Sequence, residues 1–389
     1  MCLVIPNTGR NSDIYIGPGW ESMLRNKKAI TLAMLASAVI ALPDFLPDAV
    51  GQTHLPLGLP AVAVPADNKQ TPEKIALGKK LFHDARFSAD GKISCASCHP
   101  ADRGFMDGRK VAQGLNGKGG TRNTPTLLNV SYLTSLFWDG RRPTLEEQAP
   151  DPFVNPIEHG IENYDVMIKV IRSDRKYVPA FTSAFNIKPN KISLTHIAKA
   201  LASFERSLVS GDSRFDRYFY GGDKPALSGS EINGLDLFRG RARCATCHVI
   251  GAQSALFTDN DFHSLGVGFE LISPKLATLT KRIVNLSVQE VSNLIAQDAD
   301  VAALGRFSST RKPNDIGRFR TPSLRNVAKT APYMHDGSVE TLEEAVELEV
   351  YYRSLEANRP LLLTPQERAD IVAFLKSLTS AHDFLGPPK

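Results

Sequence analysis

Four features are scarce in this 389-residue chain, and each scarcity excludes something. Spare cysteine is the first: four of the five cysteines fall in two short motifs, so Cys2 has no partner and no disulfide framework is available. Long apolar runs are the second. The stretch 29–42 falls short of the roughly 20 residues that a membrane-crossing helix needs. Excess charge of one sign is the third: 46 basic residues against 41 acidic ones give +5, with no basic block outside the leader and no basic stripe interleaved with aromatics. Nucleic acid is therefore excluded as a partner. Strand signals are the fourth, and their near absence points to a mainly α protein.

What is present is more pointed. Cys95-Ala96-Ser97-Cys98-His99 and Cys244-Ala245-Thr246-Cys247-His248 are two copies of Cys-x-x-Cys-His. That spacing lets two thiols add across the vinyl groups of a haem while the adjacent histidine supplies an axial nitrogen. Two covalently bound c-type haems are expected, ligated by His99 and His248. A tetrathiolate zinc site is the alternative use of four such cysteines. It leaves both histidines unexplained.

Arg25, Lys27 and Lys28 precede the apolar run 29–42, the layout of a secretory signal, and Met23 is a better initiator for it than Met1. A retained anchor is the alternative. The leader is assigned to 1–51, with cleavage near 49–51. The Pro-rich stretch 52–70 reads as an extended linker, because its prolines block helices and ladders. Thr71-Pro72-Glu73 then marks a helix start.

The chain repeats itself. Thr124-Pro125-Thr126-Leu127-Leu128-Asn129-Val130 matches Thr321-Pro322-Ser323-Leu324-Arg325-Asn326-Val327. Asp139-Gly140 matches Asp336-Gly337, and Thr144-Leu145-Glu146-Glu147 matches Thr341-Leu342-Glu343-Glu344, all 197 residues apart (321 minus 124). The haem motifs are only 149 apart (248 minus 99), so the second copy carries an insertion of 48 residues (197 minus 149) within 268–315. It reads as loop with one helix at 286–298. Apolar spacing predicts further helices at 73–83, 164–172, 193–209, 228–238, 341–352 and 364–379. Ser228, Thr341 and Thr364 each have Glu three residues on, the capping-box pattern. The expected architecture is two cytochrome c-like haem domains related by duplication, 71–222 and 223–382, with the haems near their interface.

Phe137-Trp138-Asp139-Gly140-Arg141, Arg122-Asn123-Thr124-Pro125, Leu324-Arg325-Asn326-Val327 and Thr330-Ala331-Pro332-Tyr333-Met334-His335-Asp336-Gly337 join the haem motifs in one pattern. Over 71–379 the chain resembles the bacterial dihaem cytochrome c peroxidases, including their MauG-type branch. The resemblance implies a peroxidatic N-terminal haem, a C-terminal haem that stores or relays electrons, and a tryptophan between them. That tryptophan corresponds to Trp138, whose repeat partner is His335.

The family fills or leaves open the sixth position of each iron 14 residues after these two positions, which selects Pro152 and Glu349. Pro152 has no donor atom, so the first iron is expected to be open. A blocking distal histidine, found in many relatives 16 residues past the ligating one, is Leu115 here. That favours the MauG-type branch, which reacts in the resting diferric state. Glu158 matches the family's distal acid by its spacing from Gln148 and Pro152, and His159 beside it shares that proton or lies at the surface. Over the second iron Tyr352 is the expected ligand, because side chains on a helix lean toward its N-terminus, with Glu349 and Tyr351 as alternatives. The resemblance also implies calcium held by Asn123, Thr330 and Pro332, while Arg325 is expected to pair with a haem propionate. His54, His83, His196, His263 and His382 read as structural or exposed.

The expected function is a periplasmic peroxidase that uses hydrogen peroxide to oxidise a protein partner, with tryptophan side chains as the target. Two alternatives stand beside it: a peroxide-scavenging cytochrome c peroxidase fed by a small redox protein, and a dihaem electron carrier. No stable membrane span is expected after leader removal.

Overall fold

The computed structural model describes residues 55–356 and 358–380. The leader, Cys2, the Met23 start, His54 and His382 lie outside the described residues. Among those described, no helix is long and apolar enough to cross a membrane.

Two helix pairs frame the molecule. Thr71 accepts a hydrogen bond from the Lys74 amide and opens the helix Pro72–Phe82, which crosses the helix Leu194–Arg206. The crossing point is Gly78, where a Cβ would lie 2.0 Å from the Ala200 carbonyl oxygen. Only glycine allows that approach. In the second half the helix Gly229–Arg239 crosses Pro365–Ser377 at Gly234, where a Cβ would lie 2.0 Å from the Asp370 oxygen. The capping boxes at Ser228 and Thr364 are formed, as are the reciprocal bonds of Thr341 and Glu344. Phe82 meets Phe204 edge-on at 5.1 Å and 60°, and Phe238 meets Phe374 at the same distance and angle. Each pair is the centre of a core, and each fully buried ring stabilises by about 1.5–3 kcal/mol.

The 197-residue repeat is visible in the backbone. Asn129 and Asn326 are both left-handed at φ 61°, and bridges join Leu136 to Arg142 and, 197 residues on, Tyr333 to Val339. The two asparagines converge on buried Ser210: Asn129 Nδ2 donates to its carbonyl at 2.8 Å and Asn326 Nδ2 to its hydroxyl at 2.9 Å. Phe215, on the first-domain side of the expected boundary, packs against Phe257 at 5.1 Å in the second core.

Two expectations are corrected. The insertion is not loop with one helix: it holds the helices Phe269–Ile272, Leu276–Ile283, Val288–Gln297, Ala299–Ala302 and Phe307–Thr310 around its own core of Ile272, Ile283, Val301 and Leu304. Its helices are short, so periodicity over a long window misses them. Nor do residues 55–70 form a free linker. Leu57 N–H donates to Asp212, the Gly58 carbonyl accepts from Ala255 and Arg325, and Tyr132 donates to the Pro60 carbonyl. Asn68 is fully buried, donating to Glu146 and to the Lys199 carbonyl. A segment without internal ladders can still satisfy its backbone by lying across both halves as a strap.

Candidate active site

Each of the two motif histidines has one ring nitrogen fixed by a backbone carbonyl. His99 Nδ1 lies 2.8 Å from the Phe105 carbonyl and His248 Nδ1 2.9 Å from that of Phe257. A carbonyl only accepts, so Nδ1 carries the proton and Nε2 keeps its lone pair for iron. Burial lowers both histidines, and Phe82 and Phe238 hold the rings at 6.4 Å. Burial also pushes the Cys98 and Cys244 thiols up to about 12 and Cys95 higher still. Two thiols and a histidine with its Nε2 lone pair free, in each Cys-x-x-Cys-His motif, are the donor set that covalent haem needs, so the residues fit it. The zinc alternative does not form: the cluster of ligating groups among the described residues is Cys247, Asp259 and His263, with one sulfur only.

On the first-haem side, the Pro152 carbonyl accepts the amides of Asn155 and His159, closing a turn that presents Glu158. Asn155 Nδ2 donates to Glu158 Oε1 at 2.6 Å. Desolvation raises this carboxyl to about 7, with Arg141 pulling the other way. Gln148 ends the short helix Leu145–Gln148 leading into that turn. His159 is neither exposed nor available to share the proton: it is buried, held to the Phe87 carbonyl at 3.2 Å, stacked edge-on with Phe153, and 3.9 Å from Cys95 Sγ. Burial lowers it to about 4, so it stays neutral. Leu115 is buried as well; its amide donates to the Ile157 carbonyl at 2.7 Å and its side chain packs over Gly160.

Trp138 and His335 occupy the junction. Trp138 Nε1 donates to the Asn123 carbonyl at 2.9 Å, and the Asn123 amide donates to the His335 carbonyl at 2.9 Å. The symmetric bond runs from the Arg320 amide to the Trp138 carbonyl, also 2.9 Å, and 123 and 320 are again one repeat apart. Phe319 stacks on His335 at 3.6 Å and 12°, and the Arg122 guanidinium lies 5.6 Å from the centre of the Phe319 ring. Asn123, Thr330 and Pro332 line one cavity; Asn123 Nδ2 donates to the Arg109 carbonyl, leaving Oδ1 and two backbone oxygens, a donor set that fits calcium.

That cavity also receives Cys244, Cys247 and His248. The helix Leu342–Glu356 faces it with Leu342, Ala345, Val346, Glu349, Val350 and Arg353. Tyr352 lies off this stripe, its hydroxyl against Gly266, between the cavity-lining Leu265 and Val267. Tyr351 is exposed. Arg325 is corrected. Its carboxylate partner is buried Asp216, in a two-bond fork of 2.8 and 2.9 Å, and Nε donates to the Ala255 carbonyl. His263 proves to line the cavity, its Nε2 2.8 Å from Asp259 Oδ2. Sequence reasoning missed Arg320; its only signal was a basic residue directly before the repeated Thr-Pro.

A family model described as di-haem cytochrome c peroxidase matches residues 72–224. Cytochrome-c peroxidase IdrP1 of Pseudomonas sp. strain SCT is 37% identical over 93% of this chain and 95% of its own length. Methylamine utilization protein MauG of Methylorubrum extorquens is 34% identical over 82% of this chain and 81% of its own. The crystal structure of a MauG-like protein associated with microbial copper homeostasis superposes with a TM-score of 0.68 at 33% identity, covering 87% of this chain and 98% of that one.

Proposed function

This chain belongs to the di-haem cytochrome c peroxidase family, and on that premise we propose that it is a MauG-like peroxidase of the periplasm that oxidises a protein partner. When bound through Cys95, Cys98 and His99, and through Cys244, Cys247 and His248, haem supplies iron that cleaves the O–O bond of hydrogen peroxide and passes oxidising equivalents onward. The chain's own residues do the rest. Glu158 takes a proton from one peroxide oxygen and returns it to the other, for which a carboxyl held near 7 is suited. Asn155 fixes the carboxyl's orientation, and Pro152 offers no side-chain donor to the first iron. Trp138, linked toward His335 through the backbone carbonyl and amide of Asn123, is the residue between the two halves suited to electron transfer. Asn123, Thr330 and Pro332 hold calcium beside it. Glu349, on the cavity wall, is the side chain that would be offered to the second iron.

The carrying observation is Glu158. A pure electron carrier gains nothing from a desolvated acid beside a position without a ligand. Leu115 supports the MauG-type reading, since its anchored backbone leaves no histidine to be displaced before peroxide enters. The likeness to IdrP1 favours a second reading, a peroxide-scavenging enzyme fed by a small redox protein. Adding one equivalent of hydrogen peroxide to the purified diferric protein separates them. Rapid spectral change without reductant is expected; no reaction until one haem is reduced supports scavenging, and inertness in every redox state ends the peroxidase reading.

A further inference from the structure

Arg320 is 5% exposed, yet no carboxylate among the described residues pairs with it. Its Nε has no hydrogen-bond partner, and Nη1 reaches only the Thr321 carbonyl, at 3.3 Å. Burial pulls the guanidinium down to about 10. A cation taken out of water in this way calls for an anion. The other arginines nearby are engaged: Arg325 with Asp216, Arg122 and Arg141 with Asp139, and Arg353 with Glu349. Arg320 lines the cavity that also holds Cys244, Cys247 and His248.

We propose that the Arg320 guanidinium clamps a propionate carboxylate of the second haem, and that through its own backbone it fixes that haem's place relative to Trp138. A planar fork matches a carboxylate with two parallel bonds, which an ammonium does not reproduce. The same residue donates its amide to the Trp138 carbonyl, so one short segment joins the cavity to the backbone that carries the junction ring. The repeat makes the arrangement one-sided. The position 197 residues earlier is Asn123, whose side-chain amide donates to the Arg109 carbonyl, so the first half has no guanidinium at the matching place. Arg320 is thus a positioning residue that neutralises propionate charge at the second haem, and this raises that haem's midpoint potential, because a bare carboxylate favours the ferric state.

The test uses the holoenzyme with both haems counted by mass spectrometry, and spectroelectrochemical titration of each haem. Arg320→Gln is expected to lower the midpoint of the second haem and leave the first unchanged, while Arg320→Lys recovers part of the loss. A fully loaded glutamine variant with an unchanged second midpoint, or with both midpoints moved equally, overturns the proposal. Should the glutamine variant not fold, the propionate bending band in resonance Raman decides between native and lysine proteins. A changed band supports the clamp, and an identical one sinks it.

Discussion

At the scale of single residues, the proposed function makes Glu158 the group that sets the pH dependence of the peroxide step. As a base it must be ionised to accept the first proton, so the rate is expected to rise with pH through about 7 and then level off. Glu158→Gln should cost about 10²–10⁴-fold in the second-order rate with peroxide and flatten that profile, measured by stopped-flow between pH 5 and 9. At the second haem, Glu349→Gln should change the absorption spectrum, whereas Tyr352→Phe should not. The two variants sit three positions apart on one helix, and only the first faces the cavity. A spectrum altered by the tyrosine change alone would return the axial role to the phenol.

At the scale of elements, the strap and the Asp216–Arg325 fork tie the halves. Gly58 lies at φ +82°, and a Cβ there would fall 1.8 Å from Asp216 Oδ1, so Gly58→Ala strains the backbone and pushes against the ion pair. Asp216→Ala leaves a 3% exposed arginine without its carboxylate, and the loss of stability should be about 3–5 kcal/mol, measured by denaturant unfolding of the holoenzyme. The inserted helices act on the same region. Arg306 donates to the Asp139 and Gly140 carbonyls, and Arg122 donates to the Ala302 carbonyl, so the insertion braces the turn that carries Trp138.

At the scale of the whole molecule, the two copies of the repeat have diverged, and the proposed function gives their centres different duties. One copy of the repeat keeps Pro152 and Glu158, and the other has Glu349 and Arg320. Electrons must then cross the junction. Trp138→Phe keeps an aromatic ring in place but removes the Nε1 bond to Asn123 and the more easily oxidised indole. The reaction of peroxide at the first haem should persist while oxidation of the second haem slows, resolved by rapid-scan absorption. Equal rates of both phases in the variant and the native protein would remove Trp138 from the path.

The sequence by itself determined the two Cys-x-x-Cys-His motifs, the duplicated helical plan and the residues at the junction. Those depend on fixed spacings: Cys-x-x-Cys-His binds through neighbours in the chain, capping boxes act over three residues, and the 197-residue offset needs no coordinates. Tertiary structure alone decided which carboxylate meets which arginine, because Arg325 and Asp216 are far apart in sequence and any buried anion would have satisfied that guanidinium. It likewise set Tyr352 against Gly266, laid 55–70 across both halves and folded the insertion around its own apolar centre. Such outcomes come from burial and from the competition of polar groups for partners, which no local spacing encodes.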